Sequence, residues 1–577
     1  MLSSKVVFGK ISLKKYFLRY FPKHSIIDLS GNLNNEASVN LDEIIKENRI
    51  EFIRVINSYL ERLNIENAGL EWFAYTCSAK NPLSSPVIER VLKVMSCINF
   101  IHKNPENKFI IFGATAAQQC SINNALNKTN RGSLIFYIER FLKTLIAWRQ
   151  GKVYLQDIKR NFVAAAYNTD QNLDVGIITY VDGTNRTVKD TYFGSLLNDI
   201  KKFNPDMRVA YLPFIYTPLK ARIEELRVTE INSWLPLFSY LKDDDLTWIS
   251  NKRMSQLVRP QCKFDVPYEA EFSPKFIIEE ANLEDMSFQY INNLVMFRIG
   301  YRIGESHCVK RLVYPFENKS LEKCMLIGLA GLTETVAYQH SSITPRHFSF
   351  LLGKKEIEVT PLPDKIVTSG LITYNWLLNK GNFPAEKLSI GCSLRYKHDF
   401  FEGSKLFSGK SAKLFLALSS SYSELYNGLM FLKALHQLNP LFILRVRTHP
   451  NFPLDNLPAE LLEWVADNVQ VRQETLLKEN FEWSDVTLYI SSTVALESLM
   501  FGVPVLHLDI DNLDSDPLLT IVPNKWTASS PEACIKAVNE IANLSYDEKI
   551  SIGKGAIGYI NEYFVPQNED SYKLFLN

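Results

Sequence analysis

Residues 491–506 read SSTVALESLMFGVPVL, and this stretch decides the fold. The hydroxyl residues at 491–493 follow the apolar run DVTLYI and precede VALESLM, so a strand ends where a helix needs its N-cap. Gly502 and Pro504 stop that helix, and VPVLHLD begins another strand. Working outward, KLFLALSSS reads as a strand and loop, SELYNGLMFLKALHQL as a helix, and PLFILRVRTHP as a further strand and loop. Strands alternating with helices of this length predict a parallel sheet covered on both faces, a doubly wound α/β domain.

The first part of the chain carries a related rhythm. SIIDLS (25–30), a helical 41–63, the apolar LEWFAYT (70–76), a helical 86–103 and KFIIFG (108–113) set out a β-α-β-α-β unit. A basic, helix-biased insertion near 130–165 interrupts it, and VGIITYV (175–181) and RVAYLPFI (208–215) resume the sheet pattern. KIVTSGLITYNWLLNKGNFPAEKLSIGCSLRY (365–396) reads as strand, helix and short strand, followed by the polar loop HDFFEGSKLFSGKS. The expected division is a Rossmann-like domain over 1–400 and a second one over 401–577, with the boundary near 400–411.

Composition bounds the function. The 577 residues are 46% hydrophobic, enough for two or three domain cores. Sixty-four Lys and Arg against sixty-three Asp and Glu leave a net charge of +1, so no global field holds a nucleic-acid backbone and any anion site must be local. The eight cysteines form no C-x-x-C pair and read as reduced, mostly buried thiols. The N-terminal MLSSKVVFGKISLKKYFLRYF lacks a secretory h-region and cleavage site, so a cytoplasmic protein is expected. The longest apolar run, CMLIGLAGL (324–332), is expected to be a buried helix rather than a membrane span.

Two motifs carry chemistry. RTHP (447–450) closes a strand, which places Arg447 and His449 at the carboxyl edge of a parallel sheet and limits His449 through Pro450. Ser491, Ser492 and Thr493 front a helix whose free N–H groups suit an anion, with Glu497 one turn on to accept from a ribose hydroxyl or a base amine. The plain alternatives are a surface arginine beside a loop histidine, and simple helix capping.

An upstream Arg-x-His-Pro with a downstream Ser-Ser-Thr-x-x-x-Glu and Gly-x-Pro resembles the nucleotide-binding half of GT-B glycosyltransferases. More narrowly it is similar to enzymes with cytidine-activated donors: bacterial sialyl- and polysialyltransferases, capsule Kdo transferases and teichoic-acid polymerases. The resemblance implies two Rossmann-like domains facing across a cleft, the first on the acceptor side and the second holding the donor. It implies that His449, Pro450, Ser491, Ser492 and Thr493 hold the nucleotide phosphate, with Arg447 and Glu497 beside them. Ser419, Ser420 and Ser421 match a loop that approaches the donor phosphate. The segments YPFENKSLEKCMLIGLAG (314–331) and TVAYQHSSITPRHFSF (335–350) resemble capsule and O-antigen biosynthesis proteins. There Glu317 is the first and Glu322 the second candidate base, both exposed toward the cleft, with His340 and Arg346 facing it. Arg395, in GCSLRY (391–396), is expected to point at the nucleotide from the domain junction.

The implied activity is metal-independent transfer of a sugar, a CMP-activated Kdo or nonulosonic acid, onto a bacterial capsule or lipopolysaccharide glycan, with no further cofactor. A UDP- or GDP-hexose or CDP-alditol transferase, and a non-catalytic nucleotide-binding assembly protein, stand as alternatives. The expected partners are a nucleotide-sugar donor and a glycan or lipid-linked glycan acceptor.

Three further features are open to two readings. Lys80 and Asn81 offer an acceptor loop, and Asp182 and Asp190 a second acidic site, although loops of this composition often only cap helices. RGSLIFYIERFLKTLIAWRQGK (131–152) carries an apolar stripe flanked by Arg131, Arg140, Lys143, Arg149 and Lys152. It fits a helix at the inner face of the cytoplasmic membrane, or one packed against its own protein.

Overall fold

The computed structural model describes residues 6–576 apart from 11, 13–22, 31–37, 127–131, 163–171, 182–189, 216–233, 267–271, 396–410, 420, 450–451, 474–475 and 512. The described strands form three sheets, and every pairing is parallel. The first holds β1 (Val6–Gly9), β2 (Ser25–Asp28), β3 (Ser38–Val39) and β4 (Phe109–Phe112) in the order β1-β4-β2-β3. The second holds β5 (Leu173–Val181), β6 (Val209–Ile215), β7 (Val309–Pro315), β8 (Glu334–Gln339), β9 (Lys365–Thr368) and β10 (Leu388–Ile390), in the order β10-β9-β8-β7-β5-β6. The third holds β11 (Lys413–Ala417), β12 (Ile443–Arg447), β13 (Val469–Val471), β14 (Val486–Tyr489), β15 (Val505–Leu508) and β16 (Lys525–Ala528), in the order β13-β12-β11-β14-β15-β16.

This is the doubly wound α/β architecture expected from the alternation of strands and helices. Each six-stranded sheet reverses its strand order once, between β5 and β7 in the middle sheet and between β11 and β14 in the C-terminal one. Such switch points leave a crevice at the carboxyl ends of the strands. The buried strands read as unbroken apolar runs, as strands covered on both faces must: β4 (FIIF) and β14 (VTLY) are buried at every position.

The residues before 400 depart from the expected single rhythm in two ways. VGIITYV and RVAYLPFI open a separate sheet instead of rejoining the N-terminal one. LEWFAYT is no strand: Leu70–Phe73 is a helical turn and Thr76–Ala79 a 3-10 turn. A short apolar run fits either a buried strand or a buried helix, and Trp72 settles it by donating its Nε1–H to Asn64 Oδ1 at 2.6 Å.

A buried polar knot joins this N-terminal layer to the middle sheet. Lys80 Nζ lies 2.7 Å from Glu356 Oε2 and donates to Asn57 Oδ1 and the Leu351 carbonyl, while Asn64 Nδ2 donates to Glu356 Oε1 at 2.6 Å. Both charged side chains are fully buried. Lys80 is therefore structural, and the acceptor loop expected there is not formed.

The C-terminal end of the chain returns to the middle sheet. Helix Tyr546–Tyr563 packs on both Val494–Met500 and Leu371–Asn379. Beyond it Val565 N donates to Ser369 O at 3.0 Å, and Ser393 N donates to Val565 O at 2.8 Å. Gly370 is required at this crossing, since a Cβ would collide with the Tyr563 carbonyl. Tyr572 and Phe575 then join the core around β5, β8 and β9.

The stretch expected to be an insertion is one helix, Gly132–Phe162. Its inner face, with Phe136, Ala147, Tyr154 and Ile158 buried, packs on helices Ala116–Ala125, Asp243–Val258 and Lys275–Asp285. Arg140 and Lys143 turn inward to Glu279 and Glu280, each at 2.7 Å. Gly151 leaves room for buried Arg253, which donates to the Ala147 and Met286 carbonyls. All eight cysteines are unpaired, and all but Cys262 are buried. Among the described residues no helix is long and apolar enough to cross a membrane, and Ser320–Leu329 is the buried helix expected of CMLIGL.

Candidate functional site

The carboxyl ends of β8, β10, β12 and β14 converge. Arg346, in the loop after β8, brings Nη2 to 3.4 Å from Ser491 Oγ just beyond β14, and its backbone N–H donates to Asp514 O at 2.9 Å. Arg395, beyond β10, and Arg447, at the end of β12, both act electrostatically on Glu497. Burial raises the Glu497 carboxyl to about 6, and the two guanidinium groups pull against that rise. Arg395 and Arg447 thus come from different sheets, and the charge of each is felt at one carboxylate.

The register fixes the rest of the edge. Ala417 pairs with both Arg447 and Tyr489, so two residues further on His449, Ser419 and Ser491 stand at one level. Ser419 Oγ lies 2.7 Å from Ser491 Oγ.

Those two hydroxyls are not open to a phosphate. Buried Glu424 accepts from Ser419 N at 2.7 Å, Ser419 Oγ at 2.6 Å and Ser491 Oγ at 2.5 Å. A carboxylate of the chain itself occupies the place expected for the donor phosphate. Asp511 stands close by, its carboxyl raised to about 7 by burial and by Glu424, against the pull of Ser515 and Arg346. Ser421 is a helix cap: its side chain accepts from Glu424 N at 3.4 Å. Ser492 is buried and accepts from Val494 N at 3.4 Å. Thr493 stands at the N-cap of Val494–Met500, half-buried, and makes no capping bond with its side chain. Ser420, Pro450 and Asp182 lie outside the described residues.

The second cluster surrounds the end of β7. Glu317 is half-buried, ion-paired with Lys319, and its Oε1 lies 3.7 Å from His340 Nε2. His340 is buried beneath the Tyr192 ring, with centroids 4.8 Å apart at 84°. Burial, then Arg395 and Lys319, hold its imidazole down to about 3, so it is neutral at physiological pH. Arg395 therefore acts on both His340 and Glu497, which joins the two clusters.

Glu322 does not face the cleft. Its buried carboxylate accepts from Glu317 N at 3.1 Å and Asn318 N at 2.8 Å, closing the turn in which Asn318 takes a left-handed φ of 53°. Burial raises it to about 8. Asp190 is spent in the same way, accepting from Phe193 N at 2.8 Å and Thr179 Oγ1 at 2.8 Å. Among the described residues no group of three His, Cys, Asp or Glu side chains is placed to hold a metal ion.

Glu424, Lys319 and Asp511 escaped the sequence reading. Glu424 had a signal, the capping-type spacing Ser421-x-x-Glu424, but that spacing announces a helix start rather than a clamp on two strand ends.

Two doubly wound parallel sheets that touch through Arg346 and Ser491 define an α/β protein with two Rossmann-like sheets. No known protein family and no curated protein matches the chain. Among solved structures it is similar to HepE of Anabaena in complex with UDP and glucose, at 10% identity over 68% of this chain and 95% of that one, with a TM-score of 0.37. It is similar to the UDP-GlcNAc 2-epimerase of Methanocaldococcus jannaschii in complex with UDP-GlcNAc and UDP, at 11% identity over 67% and 98%, with a TM-score of 0.37. The N-terminal domain of Candida albicans trehalose-6-phosphate phosphatase gives 11% identity over 70% and 96%, with a TM-score of 0.42.

Proposed function

We propose that the protein is a glycosyltransferase that uses a nucleotide-activated sugar, with the nucleotide held on the C-terminal sheet and the acceptor on the side of β7 and β8. The supporting observation is the contact of Arg346, in the loop after β8, with Ser491 beyond β14, at an edge where Arg395 and Arg447 also act electrostatically on Glu497. A sugar leaving from a phosphate needs cations aimed at the charge that develops, and two guanidinium groups from opposite sides of a cleft supply them. Glu497 would accept from a ribose hydroxyl, and Thr493, whose side chain makes no capping bond, would add a hydroxyl. Glu317 is the proposed base for the acceptor hydroxyl. Neutral His340 packs behind it and Lys319 pairs with it, which fixes the carboxylate's position.

In this reading the donor is a CMP-linked keto-sugar acid, such as Kdo or a nonulosonate. Its phosphate takes one guanidinium and its sugar carboxylate another, and Arg346, Arg395 and Arg447 offer three. A UDP-hexose is the second reading, because a diphosphate employs the same cations. Thermal denaturation with CMP, CDP, UDP and GDP separates them by which nucleotide raises the melting temperature. CMP is expected to raise it most. A larger effect of UDP moves the donor to a hexose, and no effect from any nucleotide overturns the proposed function.

A further inference from the structure

The outer face of helix Gly132–Phe162 is apolar and open to solvent. Tyr137, Ile138, Phe141, Leu142, Leu145 and Trp148 are all exposed, Phe141 at 63%. At 100° per residue they form two adjoining ridges, 137-141-145-148 and 138-142, on the side opposite buried Phe136, Ala147, Tyr154 and Ile158. A helix that is apolar all round is ordinarily buried all round. Here the outer half is not covered. Exposed Phe288 extends the surface across a groove that it shares with Ile146 and Val153.

The charges on this face change along the helix. Arg140 and Lys143 are committed inward, and Arg149, Lys152, Lys159 and Arg160 follow on the exposed side after the apolar turns, Lys159 in a long exposed pair with Asp243 at 3.9 Å and Arg160 with Asp157 at 3.7 Å. Between 137 and 160 the carboxylates are Glu139 and Asp157, which lie along one margin of the outer face, since 18 residues make a whole number of helical turns. Lys152 Nζ lies 5.6 Å from the Trp148 ring centroid, an aromatic and a cation side by side as at a lipid–water boundary.

We propose that this face docks on an anionic bilayer surface. Residues 137–148 enter the boundary between headgroups and acyl chains, and Arg149, Lys152, Lys159 and Arg160 lie at the phosphates. A second copy of the chain fits worse. An antiparallel pairing centred near Leu145 sets Arg149 and Lys152 against the partner's apolar turns, and a parallel pairing sets cation against cation, so either arrangement buries charge without a counter-charge. This docking does not depend on the donor or on the reaction.

The test is co-sedimentation of the full chain with vesicles of phosphatidylcholine alone and of phosphatidylcholine with about 30% phosphatidylglycerol. Binding is expected to the second and to weaken with salt. The double variant Phe141→Asp, Leu145→Asp is expected to lose about tenfold or more of the bound fraction, and Arg149→Glu with Lys152→Glu to lose the preference for phosphatidylglycerol. Ile521→Asp, at a position 99% exposed elsewhere, controls for general surface charge and is expected to change nothing. Absence of vesicle binding overturns the proposal, as does binding that survives both double variants. So does a dimer in solution that Phe141→Asp, Leu145→Asp converts to monomer without vesicle binding in the parent.

Discussion

Arg346 and Ser491 join the middle sheet to the C-terminal sheet: the guanidinium Nη2 lies 3.4 Å from the hydroxyl, whose proton goes to Glu424. The chain from Arg346 through Ser491 to Glu424 sets a resident anion beside a cation that a donor phosphate would need. Arg346→Gln is expected to weaken nucleotide binding by about 10- to 100-fold, the usual cost of one charged hydrogen bond. Glu424→Gln removes the competing charge and is expected to tighten binding. Calorimetric titration of nucleotide into each variant checks both directions, and a loss of affinity in Glu424→Gln would make that carboxylate part of the grip.

Arg395 and Arg447 come from different sheets and both act electrostatically on Glu497, so they are expected to act on one ligand group. Each alanine variant should lose roughly 1.5–3 kcal/mol of nucleotide binding. The double variant should lose less than the sum, because neighbouring groups that share a partner are not additive. A double-mutant cycle measured by titration checks this, and strict additivity would separate the two arginines.

Glu317 and Glu322 should part cleanly on mutation. Glu317 is half-buried beside His340, whereas Glu322 is consumed by the N–H groups of Glu317 and Asn318. Glu317→Gln is expected to lower turnover by about 10²- to 10⁴-fold with nucleotide affinity intact, as loss of a general base does. Glu322→Ala is expected to lower the melting temperature by leaving those N–H groups unpaired. Turnover and melting curves on both variants check the assignment.

The C-terminal sheet was legible because its strand ends are marked. Ser-Ser-Thr after DVTLYI and Arg-Thr-His-Pro after ILRV announce a carboxyl edge, and β11, β12, β14 and β15 fall where the apolar runs place them. What those residues do was less legible. A serine's spacing predicts that its hydroxyl points at the edge, but whether an anion from solvent or Glu424 meets it depends on a contact spanning 67 residues. The same limit hid the split of the first 400 residues into two sheets. Sheet membership is a long-range pairing, and β5 joins β7 across the three helices between 243 and 306, which no motif announces. Glu322 misled for a local reason: a carboxylate seven residues after a strand end serves a tight turn as readily as a cleft.

The Lys80–Glu356 pair holds the N-terminal layer to the middle sheet with both side chains fully buried. Removing one partner leaves a buried charge unpaired, so Lys80→Met or Glu356→Gln should each cost roughly 3–5 kcal/mol. The combined variant should recover part of that loss, since neither charge is then left alone. Denaturant unfolding of the three proteins measures the coupling, and single variants of parent stability would show that the pair contributes little.

His340 sets a pH dependence whose sign follows from its burial. Its imidazole is held down to about 3, against an ordinary value of 6.5, so between those pH values the unfolded chain binds a proton that the folded chain refuses. Its contribution to stability is therefore whole above pH 6.5 and is lost as pH falls toward 3, by up to about 1.4 kcal/mol per pH unit. The buried carboxyls of Asp285, Glu497 and Asp511, raised to about 7, 6 and 7, work in the opposite direction over part of that window. The difference between parent and His340→Gln isolates the imidazole. The variant is expected to lose less stability than the parent when acidified from 6.5 to 4. Equal losses in denaturant unfolding at those two pH values would mean that His340 accepts its proton in the folded state, drawing on Glu317 3.7 Å away.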